Sequence, residues 1–225
     1  MANTIYDITP FTLIDYPDKT ACIIWFAGCN MRCSYCYNPD IVLGKGKKSF
    51  EDVYLFLSKR KNLLDAVVLS GGECTMHQHL HDFISKIKAM GFLVKIDTNG
   101  SNPSLIKTLL SENLIDYVSL DFKAPKNKFQ QTTQSNLYAG FEDTLELLVA
   151  SDIQFEVRTT FHSELLSAND LKEMATHLKA KNYNHTFYVQ QHINNTATIG
   201  NIGKSINDLH TEMFADEVLD VVVRN

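Results

Sequence analysis

The chain has 225 residues, which is enough for one α/β domain with a sizeable apolar core. Its net charge of -5 argues against a general nucleic-acid binder, because such proteins carry a basic face. Residues 1–19 contain neither a signal sequence nor a membrane-spanning segment, so we expect a cytoplasmic protein that binds no membrane.

Short apolar runs alternate with helical patterns along most of the chain, which is typical of βα units around a parallel sheet. The predicted strands are residues 20–27, 66–70, 92–97, 117–122, 153–161 and 186–191. The predicted helices are residues 50–64, 80–90, 103–113, 142–150 and 168–181. Ser49, Asn102 and Ser167 are the predicted N-caps of the helices that begin at residues 50, 103 and 168. Residues 126–135 are predicted to be a polar loop, 206–214 a helix and 218–223 a last strand.

Six βα units predict an α/β fold with a parallel sheet, a partial (β/α)6 TIM-like barrel that stays open. We find no internal repeat, low-complexity tract or linker, so we predict a single domain over residues 1–225. Its core is residues 12–191, and residues 192–225 form a C-terminal extension.

Three cysteines lie close together after the first predicted strand, Cys29, Cys33 and Cys36, with C-x3-C-x2-C spacing. Thiolates so near one another can share one soft metal centre. Three cysteines complete neither a tetrahedral zinc site nor a four-cysteine cluster, whereas a [4Fe–4S] cube held by three leaves one iron open to a substrate. The alternative is a structural zinc loop completed by a histidine elsewhere, although no C-x2-C plus H-x3-H arrangement accompanies it.

Polar residues follow the other predicted strands at their carboxyl ends, where the active site of a parallel βα barrel lies. They are Gly71, Gly72, Glu73, Thr98, Asn99, Asp121, Lys123, Arg158, His162, Gln190 and Gln191. Asp121 and Lys123 alternate in phase, so both point to one side of the strand, either toward a ligand or in a structural salt bridge. Arg158 lies within an apolar strand and needs an anion there.

The cysteine spacing, with Tyr35 before the last cysteine, resembles the signature of the radical S-adenosylmethionine (SAM) superfamily. The flanking sequences TLIDYP at residues 12–17 and CYNP at residues 36–39 resemble the activating proteins of glycyl-radical enzymes. The resemblance covers about residues 12–191. It implies one [4Fe–4S] cluster on the three cysteines, with SAM bound to the open iron through its amino and carboxylate groups.

The resemblance also implies a set of SAM contacts. The GGE sequence at residues 71–73 would bind the methionine amino group, which agrees with the pairing of a carboxylate and an ammonium ion. Tyr35 would pack near the adenine. The polar positions that would line the rest of SAM are Thr98, Asn99, Asp121, Lys123, Arg158 and His162.

Two positions depart from the family pattern. Cys74 stands where proline usually follows GGE, and Tyr37 stands where close relatives carry histidine. We expect Cys74 to be a packed thiol, because a fourth protein ligand would block the iron that SAM needs. Cys22, within the first predicted strand, is expected in the core.

The function implied by the resemblance is anaerobic activation of a partner enzyme in the cytoplasm. Reduced flavodoxin or ferredoxin would supply an electron, SAM would be cleaved, and hydrogen would be abstracted from a glycine of anaerobic ribonucleotide reductase. One alternative is a small radical SAM enzyme with a diffusible substrate, such as a 7-carboxy-7-deazaguanine synthase. The other is a non-catalytic protein that keeps the loop for metal or partner binding.

Three histidines, His77, His79 and His81, alternate along the chain shortly after the GGE sequence. His77 and His81 have the spacing that chelates zinc on one face of a helix. No carboxylate or cysteine completes this set at helical spacing, so we expect a solvated helix start.

Overall fold

The computed structural model describes residues 3–206, 208–215 and 219–224. Its strands are β1 Ile5–Thr12, β2 Ala21–Phe26, β3 Ala66–Gly71, β4 Leu93–Thr98, β5 Tyr117–Asp121, β6 Gln154–Phe161, β7 Phe187–Gln191 and β8 Val221–Arg224. Its α-helices are α1 Pro39–Leu43, α2 Phe50–Ser58, α3 Leu80–Ala89, α4 Pro103–Ser111, α5 Lys126–Thr133, α6 Tyr138–Val149 and α7 Ala168–Ala180. Two short 3₁₀ helices lie at Cys74–Met76 and Thr211–Phe214.

The chain divides into two compact units, with β5 contributing to both. Among the described residues, the first comprises residues 3–30, 38–98 and 102–119, and the second residues 31–37, 99–101, 120–206, 208–215 and 219–224. In the first unit the strand order is β1-β2-β3-β4-β5, and in the second it is β5-β6-β7-β8. Strand β1 is antiparallel to β2, whereas β2 with β3, β3 with β4, β6 with β7 and β7 with β8 are parallel.

The sheet is open, since within the described residues β1 and β8 are its end strands. The α/β fold with a parallel sheet and an unclosed barrel is therefore confirmed. The prediction of a single domain over residues 1–225 stays a prediction.

The core of the first unit forms on strands that are apolar on both faces. Ile24 of β2, Val67 of β3 and Ile96 of β4 are fully buried, as expected for strands covered by helices. Cys22 is also fully buried in β2, which confirms it as a core residue.

The helix starts follow their local sequence. Ser49 and Asp52 form a reciprocal capping box at α2, and Ser167 and Asp170 form another at α7. The side chain of Asn102 accepts a hydrogen bond from the Leu105 N–H at the start of α4. These caps lie where the sequence predicted them.

Several elements differ from the prediction. Residues 126–135 were expected to be a loop, but they contain α5, which lacks an apolar stripe and buries only Phe129, Thr132 and Thr133. Helix α2 ends at Ser58 rather than near residue 64, and Asn62 has a left-handed backbone in the turn that follows. Strand β1 and helix α1 were not predicted.

The tail differs as well. Of the predicted helix over 206–214, Asn207 lies outside the described residues, and only the short 3₁₀ turn Thr211–Phe214 is present in the rest. Val218 of the predicted last strand also lies outside them, and β8 begins at Val221. Within the described ranges, no helix combines the length and apolar character needed to cross a membrane.

Candidate active site

Gly71, the last residue of β3, and Gly72, which follows it, pack against the segment that leads to Cys29. The N–H of Gly72 donates to the Phe26 carbonyl at 2.9 Å, and the N–H of Glu73 donates to the Gly28 carbonyl at 2.9 Å. A Cβ atom at position 72 would lie 1.7 Å from the Gly28 oxygen, so only glycine fits. Gly71 has a backbone φ of +119°, a value that residues with a side chain rarely adopt. The glycines are therefore needed for main-chain packing within the first unit.

Glu73 and Thr98 are brought together in the first unit, as predicted for strand-end residues. Glu73 is 1% exposed, and its Oε1 accepts hydrogen bonds from the Thr98 hydroxyl at 2.8 Å and the Thr75 hydroxyl at 2.6 Å. The Thr75 N–H donates to the same oxygen at 3.0 Å. These bonds fix the orientation of a buried carboxylate. A contact between Glu73 and the SAM ammonium stays a prediction.

Cys74 is a packed thiol. It is fully buried, and its Sγ lies 3.9 Å from the Leu69 carbonyl oxygen and 3.7 Å from the Asp97 carbonyl oxygen. Burial raises the pKa of this thiol well above its usual value, which disfavours the thiolate that metals bind. The prediction of a packed Cys74 is confirmed.

The histidines after it do not behave alike. His79 is exposed at the start of α3, and His81 pairs with the Glu112 carboxylate at 2.8 Å. The ring of His77 instead packs against Phe26 with a centroid distance of 5.1 Å, and burial lowers its pKa. The expectation of a solvated start is therefore wrong for His77.

The TLIDYP sequence lies at the end of β2 opposite to Cys29. Tyr16 is buried in a hydrophobic cluster with Ala21 and Ile23 of β2. Leu13 and Ile14 beside it are exposed, and Ile14 is 90% exposed. This part of the family resemblance therefore marks structural packing and an apolar surface in the first unit.

Sequence reasoning missed a buried ion pair inside β4. Lys95 is 3% exposed and its Nζ lies 2.7 Å from Oδ1 of Asp97, whose Oδ2 accepts from the Ser70 hydroxyl at 3.0 Å. The available signal was the alternation of two charges in an apolar strand, the same pattern that singled out Asp121 and Lys123.

In the second unit, the cysteine segment 31–37 is held by the end of α5. The N–H of Arg32 donates to the Thr133 carbonyl at 2.8 Å, and the Cys36 N–H donates to the Cys33 carbonyl at 3.0 Å. Cys33 is buried and Cys36 is partly exposed. Burial raises the pKa of the Cys33 thiol, although the Lys123 ammonium opposes this by favouring the thiolate.

Tyr35 is buried beside the charges of the second unit. Burial raises the pKa of its phenol well above the usual value, with the Lys123 ammonium acting in the opposite direction. The structure thus brings Cys33, Tyr35 and Cys36 together with Asp121 and Lys123. A contact between Tyr35 and adenine stays a prediction.

Asp121 lies between two cations. Its Oδ2 accepts from Lys123 Nζ at 3.0 Å and its Oδ1 from Arg158 Nε at 2.7 Å. Burial by itself would raise the pKa of Asp121, but Lys123 and Arg158 lower it below the usual value. Burial would likewise lower the pKa of Lys123, yet the Asp121 carboxylate raises it well above the usual value.

The anion that the sequence demanded for Arg158 is supplied by the chain itself. Besides Asp121, the guanidinium lies 4.0 Å from the Glu156 carboxylate, which in turn lies 3.8 Å from the guanidinium of Arg224 in β8. Asp121, Lys123 and Arg158 therefore form the predicted ion pair as part of a longer network. Their contact with SAM stays a prediction.

His162 and Asn99 are both engaged with neighbouring loops. His162 is fully buried, with Nε2 3.2 Å from the Gly203 carbonyl oxygen and Nδ1 accepting from the Glu164 N–H at 3.3 Å. Oδ1 of Asn99 accepts from the Ser101 N–H at 3.0 Å. Neither arrangement tests the predicted contacts of these two residues with SAM.

Tyr37, in the position where relatives carry histidine, contacts a histidine from another part of the second unit. Its ring centroid lies 5.9 Å from that of His192, and the His192 ring lies 4.8 Å from His162. His192 follows β7 directly and had no sequence signal of its own. The phenol therefore ends a row of three packed aromatic rings.

The chemistry of the donors fits an iron–sulfur cluster. None of the cysteines in the described residues forms a disulfide, so thiols remain at the three positions of the cysteine motif. Across the described ranges, no group of three or more His, Cys, Asp or Glu side chains is arranged to hold a single metal ion. The cysteines of a cube each bind a different iron, so they need not converge on one point as the ligands of a single ion do.

Comparison with known proteins places this geometry in context. The profile of the Radical SAM superfamily matches residues 23–164. A protein of Methanocaldococcus jannaschii named as a glycyl-radical enzyme activating enzyme is 31% identical over 185 residues, covering 80% of this chain and 77% of that protein. The pyruvate formate-lyase-activating enzyme of Clostridium pasteurianum is 27% identical over 183 residues, covering 78% of this chain and 76% of that enzyme.

A solved structure supports the same fold. The Streptococcus suis protein SuiB, in its structure bound to S-adenosylmethionine, superposes with a TM-score of 0.69 at 13% identity. The superposition covers 90% of this chain and 52% of SuiB.

Proposed function

The chain belongs to the radical SAM superfamily, and on that premise we propose that it is an activating enzyme for a glycyl-radical enzyme. When bound to Cys29, Cys33 and Cys36, a reduced [4Fe–4S] cluster would supply one electron for the cleavage of SAM to methionine and, once hydrogen is taken from a glycine, 5′-deoxyadenosine. The observation that carries the proposal is the sequence similarity to activating enzymes over about three quarters of their length.

In this proposal Cys29, Cys33 and Cys36 hold the cluster. The partly exposed Cys36 follows the buried Cys33 in a segment whose main chain is hydrogen-bonded to the end of α5. A cluster bound by three thiolates keeps one iron accessible to SAM.

The chain's own charged groups would orient SAM. The anchored carboxylate of Glu73 would pair with the methionine ammonium, and the ammonium of Lys123 would pair with the methionine carboxylate or a ribose oxygen. Because Asp121 already pairs with Lys123 and Arg158, SAM would join an existing network of charges. Thr98, Asn99, His162 and Tyr35 complete the proposed contacts.

We propose anaerobic ribonucleotide reductase as the partner and reduced flavodoxin or ferredoxin as the electron donor. The support is the CYNP and TLIDYP sequences, which resemble the activating proteins of glycyl-radical enzymes and most closely that of anaerobic ribonucleoside-triphosphate reductase. The work would take place in the cytoplasm, where reducing conditions keep the thiols available.

The first test is anaerobic reconstitution with iron and sulfide, reduction, addition of SAM and an assay for 5′-deoxyadenosine. We expect production that is lost in Cys33→Ala and kept in Cys74→Ala, because both changes remove a buried thiol but only Cys33 is a proposed ligand. Adding the candidate reductase should then yield a glycyl radical visible by electron paramagnetic resonance.

Two outcomes would contradict the proposal. Equal 5′-deoxyadenosine production by Cys33→Ala and the unaltered chain would remove the cluster assignment. Abundant 5′-deoxyadenosine without a glycyl radical, on any of a panel of glycyl-radical enzymes, would point to a diffusible substrate instead.

A further inference from the structure

A long loop after β7 returns to the cysteine segment within the second unit. We define it as the strap, residues 192–206. The N–H of Ile199 donates to the Cys36 carbonyl at 2.9 Å, and the N–H of Gly200 donates to the Ser34 carbonyl at 2.9 Å. We propose that the strap positions the Cys33–Cys36 part of the cluster-binding loop, with Gly200 as its principal positioning residue.

Ser34 shows how the segment is held from two sides. Its N–H donates to the Thr132 carbonyl at the end of α5, at 3.4 Å, while its C=O accepts from Gly200 of the strap. The two cysteines on either side of this residue are joined by the turn from the Cys36 N–H to the Cys33 carbonyl. Main-chain bonds to α5 and to the strap therefore fix the turn between the two thiols.

The strap is itself tied down at both ends. The Asn194 side chain and Ser205 main chain exchange two hydrogen bonds, of 2.9 Å and 2.8 Å, which close the loop. The Ser163 hydroxyl accepts from the Ile206 N–H at 2.8 Å, and the Ser205 hydroxyl accepts from the Ser163 N–H at 3.1 Å. A loop closed in this way can transmit position to the segment it contacts.

Gly200 lies against the main chain of the cysteine segment. A Cβ atom there would come within 2.6 Å of the Ser34 Cβ, 2.8 Å of its Cα and 2.9 Å of its carbonyl oxygen. Since two of these are main-chain atoms, alanine at position 200 must move the strap or the cysteine segment. A Cβ atom at Gly203 would instead meet an oxygen of the exposed Glu164 side chain at 2.3 Å. This carboxylate accepts from the Gly203 N–H at 3.1 Å and 3.2 Å, and it can shift without moving any main-chain atom.

This contrast gives a test that needs no cofactor. In the full chain without cluster, thiol alkylation followed by mass spectrometry reports the accessibility of each cysteine separately. We expect the reagent to alkylate Cys33 about tenfold faster in Gly200→Ala than in the unaltered chain, because the cysteine segment opens locally in the variant. Cys22, in the core of β2, should stay as protected as before, and Gly203→Ala should leave both rates unchanged.

A second measurement concerns the cluster-loaded chain. The inference rests on the cysteines of the proposed function. Cluster-loaded Gly200→Ala should therefore release iron to a chelator about tenfold faster than the unaltered chain, because the residues that hold the cysteine ligands in position are displaced. Alkylation is measured without cluster or SAM. A negative alkylation result therefore counts against the positioning role of Gly200 and not against the proposed function.

Unchanged alkylation of Cys33 in Gly200→Ala would overturn the inference. If Cys22 also becomes reactive, Gly200→Ala has unfolded. The measurement is then made on Asn194→Ala, because this substitution removes the hydrogen bonds that close the strap and lies outside the cysteine segment. Faster alkylation of Cys33 with Cys22 protected then supports the inference, and an unchanged Cys33 rate overturns it.

Discussion

At the scale of single residues, the charges around Asp121 matter most. The Asp121 carboxylate pairs with both the ammonium of Lys123 and the guanidinium of Arg158, and all three side chains are at most 24% exposed. Charges this poorly hydrated are tolerated only because they are paired. Asp121 therefore contributes to stability as well as to the proposed SAM site.

We expect Asp121→Asn to lower the free energy of unfolding by about 3 kcal/mol, because it removes the carboxylate that lies between the Lys123 ammonium and the Arg158 guanidinium. Urea unfolding of the chain measures the change. Asp143→Asn, at an exposed aspartate of α6, is the control and should stay within about 0.5 kcal/mol of the unaltered chain.

Asp121→Asn combined with Lys123→Met should recover part of the lost stability, since one of the two cations is then removed. If Asp121→Asn is as stable as the control, the network of Asp121, Lys123 and Arg158 makes no net contribution to the free energy of unfolding.

At the scale of secondary-structure elements, the start of α7 is joined to α5. Asp170 closes the capping box with Ser167 and also accepts from Lys128 Nζ of α5 at 2.7 Å. Burial would raise the pKa of Asp170, but Lys128 and the bonds from Ser167 lower it below its usual value. The carboxylate thus stabilises both the helix start and its contact with α5.

The lowered pKa predicts an acid-dependent contribution to stability. A group whose pKa is lower in the folded chain stabilises it above the unfolded pKa and loses this effect as pH falls through the folded pKa. We expect Asp170→Asn to be about 2 kcal/mol less stable than the unaltered chain at neutral pH. The difference should shrink as pH falls below about 4, the usual aspartate pKa.

Unfolding curves across this pH range test the prediction. Asp52→Asn at the exposed capping box of α2 is the matched control, because it removes the same cap without breaking an ion pair to another helix, and its effect should be smaller. A pH-independent difference for Asp170→Asn would contradict the prediction.

At the scale of the whole molecule, ligand binding and folding are linked. A ligand that binds only the folded chain stabilises all of it, by about 2.7 kcal/mol at a concentration one hundred times its Kd. Folding assembles the proposed SAM contacts within each unit: Thr98 bonds to Glu73 in the first unit, and Arg158 pairs with Asp121 in the second.

We therefore expect SAM to raise the Tm of the cluster-loaded chain by roughly 5–10 °C under these conditions. Anaerobic thermal unfolding with and without SAM gives the shift. Cys33→Ala should show a much smaller shift, because its cluster is incomplete. Equal shifts in the two proteins would mean that SAM binds without the cluster.

The sequence by itself determined the features that depend on near neighbours or on simple periodicity. The capping residues Ser49 and Ser167, most strands of the open α/β fold and the position of the cysteine motif after β2 all follow from short stretches of chain. Such patterns are readable because each element's requirements lie within a few residues of one another.

Only the tertiary structure decided the long-range partners. It showed that Asp121 and Glu156 supply the anion for Arg158, that Gly72 is required by the Gly28 carbonyl, and that Gly200 reaches Ser34. Helix α5 went unpredicted because a few buried side chains stabilise it, without an apolar stripe. Apart from Arg158 and Glu156, which lie two positions apart in β6, these pairings join residues tens to more than a hundred positions apart. Periodicity along the chain does not indicate which of those distant atoms will meet.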